Sequence, residues 1–146
     1  LERYVKNGDE VLDIGCGSGI LSIATLLLGA KHALGVDIDS LAVKTAKENA
    51  KQNGFAEDRF TAVQGNLSDK VSGKFDIVVA NIVADIDMEF NTEVGKFLKD
   101  DGVYITGGII ENREDEVLYS FNQNGFEVIE RHENNGWLVF VLKKTL

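Results

Sequence analysis

The chain has 146 residues, 44% hydrophobic and 27% charged, which is one domain's worth with a core of its own. Fifteen lysines and arginines against 24 acids leave a net charge of −9, which argues against direct nucleic-acid binding; the acidity either draws a basic partner or serves solubility. A single cysteine, Cys16, excludes an internal disulfide framework and a cysteine-cluster metal site, and the longest apolar stretch, "ILSIATLLLGA", is too short to span a bilayer.

No signal peptide precedes the first predicted strand, so the expected location is the cytoplasm, away from membranes. The sequence opens at Leu1 within a predicted helix end, which reads as an excised fragment. "EVLDI" is a strand and "ILSIATLLLG" a helix ended by Gly29; "HALGVD" is the second strand. Ser40 is the expected cap of a helix through "LAVKTAKENAKQN", closed by Gly54. "FTAVQ" and "FDIVVAN" are the third and fourth strands, the latter apolar as a doubly covered strand must be. A helix around "MEFNTEVGKFLKD" leads to a fifth strand, "GVYITG", and another near "REDEVLYSFNQN" stops at Gly125. "FEVIERHE" and "GWLVFVLKK", joined through "NNG", form a closing hairpin in which Trp137 is expected to pack. Alternating strands and helices predict an α/β fold with a mainly parallel, doubly wound sheet and an antiparallel last strand.

The chemistry concentrates in "VLDIGCGSGILSIA". Gly15, Gly17 and Gly19 follow the first strand, where a doubly wound sheet binds its ligands and where glycines let a ligand approach the backbone. The dinucleotide fingerprint needs G-x-G-x-x-G, but the spacing here is G-x-G-x-G, with Ile20 in the place of the third fingerprint glycine. No Walker lysine follows either. Asp13 stands under the loop, able to hold its N–H groups or to receive a ligand ammonium, or simply to tie down a turn. Asp37, ending the second strand, can accept both hydroxyls of a ribose, and is preferred for this over Asp39, which starts the next helix. Cys16 has no activating partner and reads as a small filler. His32 and His132 lack any metal or triad pattern, and no metal site is expected.

Loop, strand and Asp37 together resemble the S-adenosylmethionine-dependent methyltransferases, whose fold is a Rossmann-like seven-stranded sheet. The resemblance implies S-adenosylmethionine as cofactor, with the glycine loop on its methionine and ribose parts and Asp37 on the ribose. Asn66 in "VQGNLSD" falls where that family often has an acid near the adenine amine; local turn bonds are an equal alternative. Asn81 ends the fourth strand beside the expected methyl. Amino-directed DNA methyltransferases of this kind carry Asn-Pro-Pro-aromatic there, whereas this chain has Asn-Ile-Val-Ala, which disfavours a flipped base.

"ANIVAD", the glycine loop, "GVDID" and "GGIIENREDEV" resemble the ribosomal protein L11 methyltransferase family from Leu1 to Lys143. That resemblance implies an enzyme that methylates protein α-amines and lysine ε-amines, with a basic ribosomal protein as partner. Asn81 is the expected catalytic residue, its amide oxygen orienting the amine; Gly107, Gly108 and Ile109 would line the neighbouring strand end, with a plain strand-to-helix turn an equal reading of the glycines. Asp85 and Asp87 could help attract an ammonium, but the preferred reading is solvated acids at a helix start. Members of the family also carry an N-terminal substrate-recruiting domain, a linker and a cofactor-covering segment, none of them in this sequence. The expectation is a catalytic domain over residues 1–146 without its docking half, weak in turnover alone. A small-molecule methyltransferase and a non-catalytic cofactor-binding module are the alternatives.

Overall fold

The computed structural model describes residues 3–145, so the helix end predicted at Leu1 lies outside the described residues. In chain order the elements are β1 (Glu10–Ile14), α1 (Ile20–Leu27), β2 (His32–Asp37), α2 (Ser40–Gln52), β3 (Phe60–Gln64), β4 (Phe75–Asn81), α3 (Ala84–Asn91), β5 (Leu98–Ile110), α4 (Glu114–Gln123), β6 (Phe126–Asn134) and β7 (Trp137–Lys144). The strands form one seven-stranded sheet in the order β3-β2-β1-β4-β5-β7-β6. Strands β1 to β5 run parallel, and β7 lies antiparallel to both β5 and β6. This is the doubly wound, Rossmann-like architecture expected from the sequence.

Side-chain alternation splits the interior into two cores. Val11, Ile77, Val79 and Ile105 join Ile23 and Leu26 of α1 and Val43 and Ala46 of α2. Leu12, Val78, Ala80 and Tyr104 turn the other way, toward Phe90 of α3 and Val117 and Phe121 of α4. Both faces of the central strands are therefore covered, which explains their unbroken apolar runs. The β6–β7 turn is Asn135-Gly136, both residues at positive φ (53° and 83°), the conformation a tight hairpin of this twist requires.

The structure corrects several boundaries. Asp39, not Ser40, caps α2: its Oδ1 accepts the Leu41 N–H at 2.9 Å. The third helix begins at Ala84, ahead of Met88, and ends at Asn91; a separate 3₁₀ turn covers Val94–Lys96. Strand β5 begins at Leu98 rather than Gly102, because Leu98 pairs with Phe75 across an irregularity in β4. Trp137 is 53% exposed instead of packed into the hairpin. No helix among the described residues is long and apolar enough to cross a membrane.

Candidate functional site

From β1 the chain builds outward through β2 and β3 on one side, and from β4 through β5 on the other. The strand order reverses between β1 and β4, and in such a sheet the usual ligand position is beyond their carboxyl ends, between the β1–α1 loop and the ends of β4 and β5. One wall is the loop from Gly15 to Gly19. All three glycines have positive φ, and each has its own reason. A Cβ on Gly15 would lie 3.0 Å from the Ile82 side chain, and one on Gly19 3.1 Å from Ala46 of α2. At Gly17 it would meet nothing within 4 Å: this glycine faces open space.

Asp13 lies beneath that loop and is 1% exposed. Its Oδ2 accepts the Ser22 hydroxyl at 2.7 Å, whereas Oδ1 is a buried polar atom with no partner among the described residues. Burial pushes the carboxyl up from 3.8 to about 7, against the pull of the Ser22 hydrogen bonds, with the Asp37 charge adding to the rise. The loop N–H groups that Asp13 was expected to hold go elsewhere. Gly15 and Cys16 donate to the Val36 carbonyl at 2.8 and 3.0 Å, and Gly17 donates to Asp37 Oδ2 at 2.9 Å. Asp37 Oδ1 accepts the Asp39 N–H at 2.9 Å, so each Asp37 oxygen retains a lone pair for a ligand.

Cys16 is buried against Gly35, and burial pushes its thiol up to about 12, in keeping with a filler role. The His32 ring sits 2.9 Å from the Thr61 hydroxyl, and burial lowers its pKa. Asn66 is exposed on the loop after β3; its N–H donates to Asp69 Oδ1 at 2.9 Å and its carbonyl accepts from Asp69 at 3.2 Å, a local turn.

The opposite wall is built by β4 and β5. Asn81 is exposed at the end of β4 and paired in register with Gly107. Beside it β5 bulges: Thr106 pairs with Phe140 and Ile109 with Leu138, which leaves one extra residue at Gly107–Gly108. Gly108 has φ +77°, and a Cβ there would lie 2.7 Å from Asn81 Oδ1, so only glycine lets the asparagine side chain lie against β5. Around this wall Val83, Ile86, Ile110 and Trp137 remain exposed, giving an open apolar rim.

Two acids after Asn81 separate sharply. Asp85 is exposed and pairs with Arg113 at 2.6 Å. Asp87, expected to be solvated, is completely buried and accepts from Thr106, Tyr104 and Asn91. Sequence reasoning missed this group, although Ala84, Asp87 and Asn91 occupy one inward stripe of α3 at helical spacing.

The family model for Ribosomal protein L11 methyltransferase (PrmA) matches residues 1–145. Ribosomal protein L11 methyltransferases of Dictyoglomus thermophilum and Caldicellulosiruptor bescii are 49% and 47% identical over 98% and 100% of this chain, covering 46% and 47% of their own lengths. The crystal structure of the ribosomal protein L11 methylase of Lactobacillus delbrueckii subsp. bulgaricus superposes with a TM-score of 0.95 at 32% identity, over 99% of this chain and 74% of that one. An S-adenosylmethionine-dependent methyltransferase of Clostridium acetobutylicum shares the fold, with a TM-score of 0.81 at 13% identity over 99% and 87% of the two chains. The chain spans about half the length of the curated relatives it matches.

Proposed function

The chain belongs to the ribosomal protein L11 methyltransferase family, and on that premise we propose that it binds S-adenosylmethionine and directs its methyl group to amines of ribosomal protein L11. The observation that carries the cofactor reading is the unpartnered Oδ1 of Asp13, sealed beneath a glycine loop at the sheet's switch point. A buried acceptor left unpaired costs about 1–3 kcal/mol, which an ammonium arriving at the loop, directly or through a water, recovers. The remaining donor set fits the same ligand. Asp37 has lone pairs for two ribose hydroxyls, Gly17 leaves the loop open to close approach, and Asn66 offers an amide acceptor to the adenine amine.

When bound, S-adenosylmethionine supplies a methyl on a cationic sulfur that departs as a neutral thioether. What the protein adds is alignment of the reactants. A free lysine, with a pKa near 10.4, is mostly protonated at neutral pH and has no lone pair to offer. The apolar rim of Val83, Ile86 and Ile110 disfavours the charged amine, and Asn81 Oδ1 accepts one of its N–H bonds so that the lone pair points inward. The displaced proton passes to solvent, which the exposure of Asn81 permits. That openness also supports a protein acceptor over a small molecule, which would call for a closed pocket.

The test is transfer of a radiolabelled methyl from S-adenosylmethionine to purified ribosomal protein L11, with the labelled amines located by mass spectrometry. Label on lysine ε-amines or the α-amine supports the reading; saturable cofactor binding with no transfer would favour a non-catalytic module. Asn81→Ala is expected to lower kcat about 100-fold, the scale of a lost reactant alignment.

A further inference from the structure

Asp87 is not part of the wall formed by Asn81 and the β5 bulge, yet every link between them is fixed. It stands on α3, which begins at Ala84, just after Asn81 ends β4. Its Oδ1 receives the Thr106 hydroxyl, and the Tyr104 hydroxyl at 3.2 Å; its Oδ2 receives the Asn91 amide at 3.3 Å. Asn91 in turn donates to the Ser120 hydroxyl of α4 at 3.0 Å and accepts from Tyr104 at 3.0 Å. Asp87, Tyr104 and Thr106 are wholly buried, and Asn91 nearly so.

Thr106 is the last β5 residue in regular register before the Gly107–Gly108 bulge. The Gly107 carbonyl accepts the Ile82 N–H at 3.2 Å, and Gly108 packs against Asn81 Oδ1. A bulge is a soft point in a ladder, since the extra residue leaves a pairing unmade. Something must fix its position if the neighbouring asparagine is to hold an amine to a fraction of an ångström.

We propose that Asp87 is a positioning residue for methyl transfer: by holding Thr106 it fixes the β5 bulge, and through the bulge the direction of the Asn81 amide. The proposal rests on the role given to Asn81 above. An acceptor-only carboxylate suits the task, because it takes hydroxyl and amide donors from two elements at once and offers none in return. Thr106 donates to Asp87 Oδ1, and Tyr104 shares its one hydroxyl proton between that oxygen and Asn91 Oδ1, but only Thr106 adjoins the bulge. A purely structural network would feel the loss of either in the same way.

That contrast gives the experiment. Thr106→Val, Thr106→Ser and Tyr104→Phe are compared for methyl transfer to ribosomal protein L11, for cofactor affinity by calorimetry, and for the Asn81 side-chain and Gly107 and Gly108 backbone amide signals by NMR. Thr106→Val is expected to lower kcat about tenfold with cofactor affinity within twofold, and to shift all three signals. Thr106→Ser restores them, and Tyr104→Phe leaves both kcat and the signals as they are. Asp87→Asn, which still accepts from Thr106, retains more activity than Asp87→Ala. Unshifted Asn81 and glycine signals in Thr106→Val, or equal effects from Thr106→Val and Tyr104→Phe, overturn the proposal. If the unaltered protein fails to methylate L11, the substrate reading falls, while the NMR comparison still decides whether Thr106 holds the bulge.

Discussion

Two carboxyl groups are buried among the described residues, one beneath the glycine loop and one behind the β4–β5 wall, and they are treated in opposite ways. Asp87, behind the β4–β5 wall, has both oxygens engaged by donors from its own helix and from β5. Asp13, beneath the glycine loop, has one oxygen held by Ser22 and the other unpartnered. Burial raises the pKa of both; for Asp87 the Thr106, Tyr104 and Asn91 hydrogen bonds oppose it. A group with its full set of partners belongs to the folded scaffold. A group left short of a partner weakens the scaffold and keeps a bond in reserve for a ligand.

The difference can be broken most forcefully at Asp87. Asp87→Ala leaves the Thr106 hydroxyl without its acceptor and takes one acceptor from each of Tyr104 and Asn91, and is expected to destabilise the chain by about 3 kcal/mol, read as a lower urea midpoint. Asp13→Asn should act in the opposite sense on stability. Because Asp13 is raised from 3.8 to about 7, the folded chain holds a proton between those values that the unfolded chain has released. Its contribution therefore makes stability fall as pH rises from about 4 to about 7 and level off above. Asp13→Asn removes that contribution, so urea midpoints measured across this range should decline less than in the unaltered chain. The same substitution is expected to weaken S-adenosylmethionine binding about tenfold or more, the worth of one charge-assisted hydrogen bond.

A sharper version uses protons as the readout. An ammonium beside Asp13 favours its ionised form, so cofactor binding near pH 6.5 should release a proton. Calorimetric enthalpies in two buffers of different ionisation heat would register the release, and Asp13→Asn should abolish it. The smallest effect is expected at Asn66, whose backbone already belongs to a local turn with Asp69. Asn66→Ala should weaken cofactor binding only a few-fold, about 1 kcal/mol for one neutral hydrogen bond.

The same contrast explains what could be read in the sequence. The Asp13 wall was legible because its parts are local: an apolar strand, alternate glycines and an acid closing the next strand, all within Val11–Asp37. Asn81 could be read for the same reason, from its place at the end of an apolar run. Even there, the partners of Asp13 were not, since the loop N–H groups turn to Val36 and Asp37 across the β1–β2 pairing. The Asp87 wall depends on contacts between segments far apart in the chain. Its helix starts at Ala84 behind Val83, which makes no side-chain cap to mark it, and two acids two positions apart look equally solvated until β5 is laid against one of them. The bulge at Gly107–Gly108 is likewise invisible until β7 supplies the register.

The most direct test of the cofactor assignment is calorimetric titration with S-adenosylmethionine, on the unaltered chain and on Asp37→Ala, with NAD titrated in parallel. Saturable binding of S-adenosylmethionine is expected, with a loss of at least 100-fold in Asp37→Ala as two charge-assisted bonds disappear, and no binding of NAD. Binding of NAD, or S-adenosylmethionine affinity untouched by Asp37→Ala, would contradict that assignment.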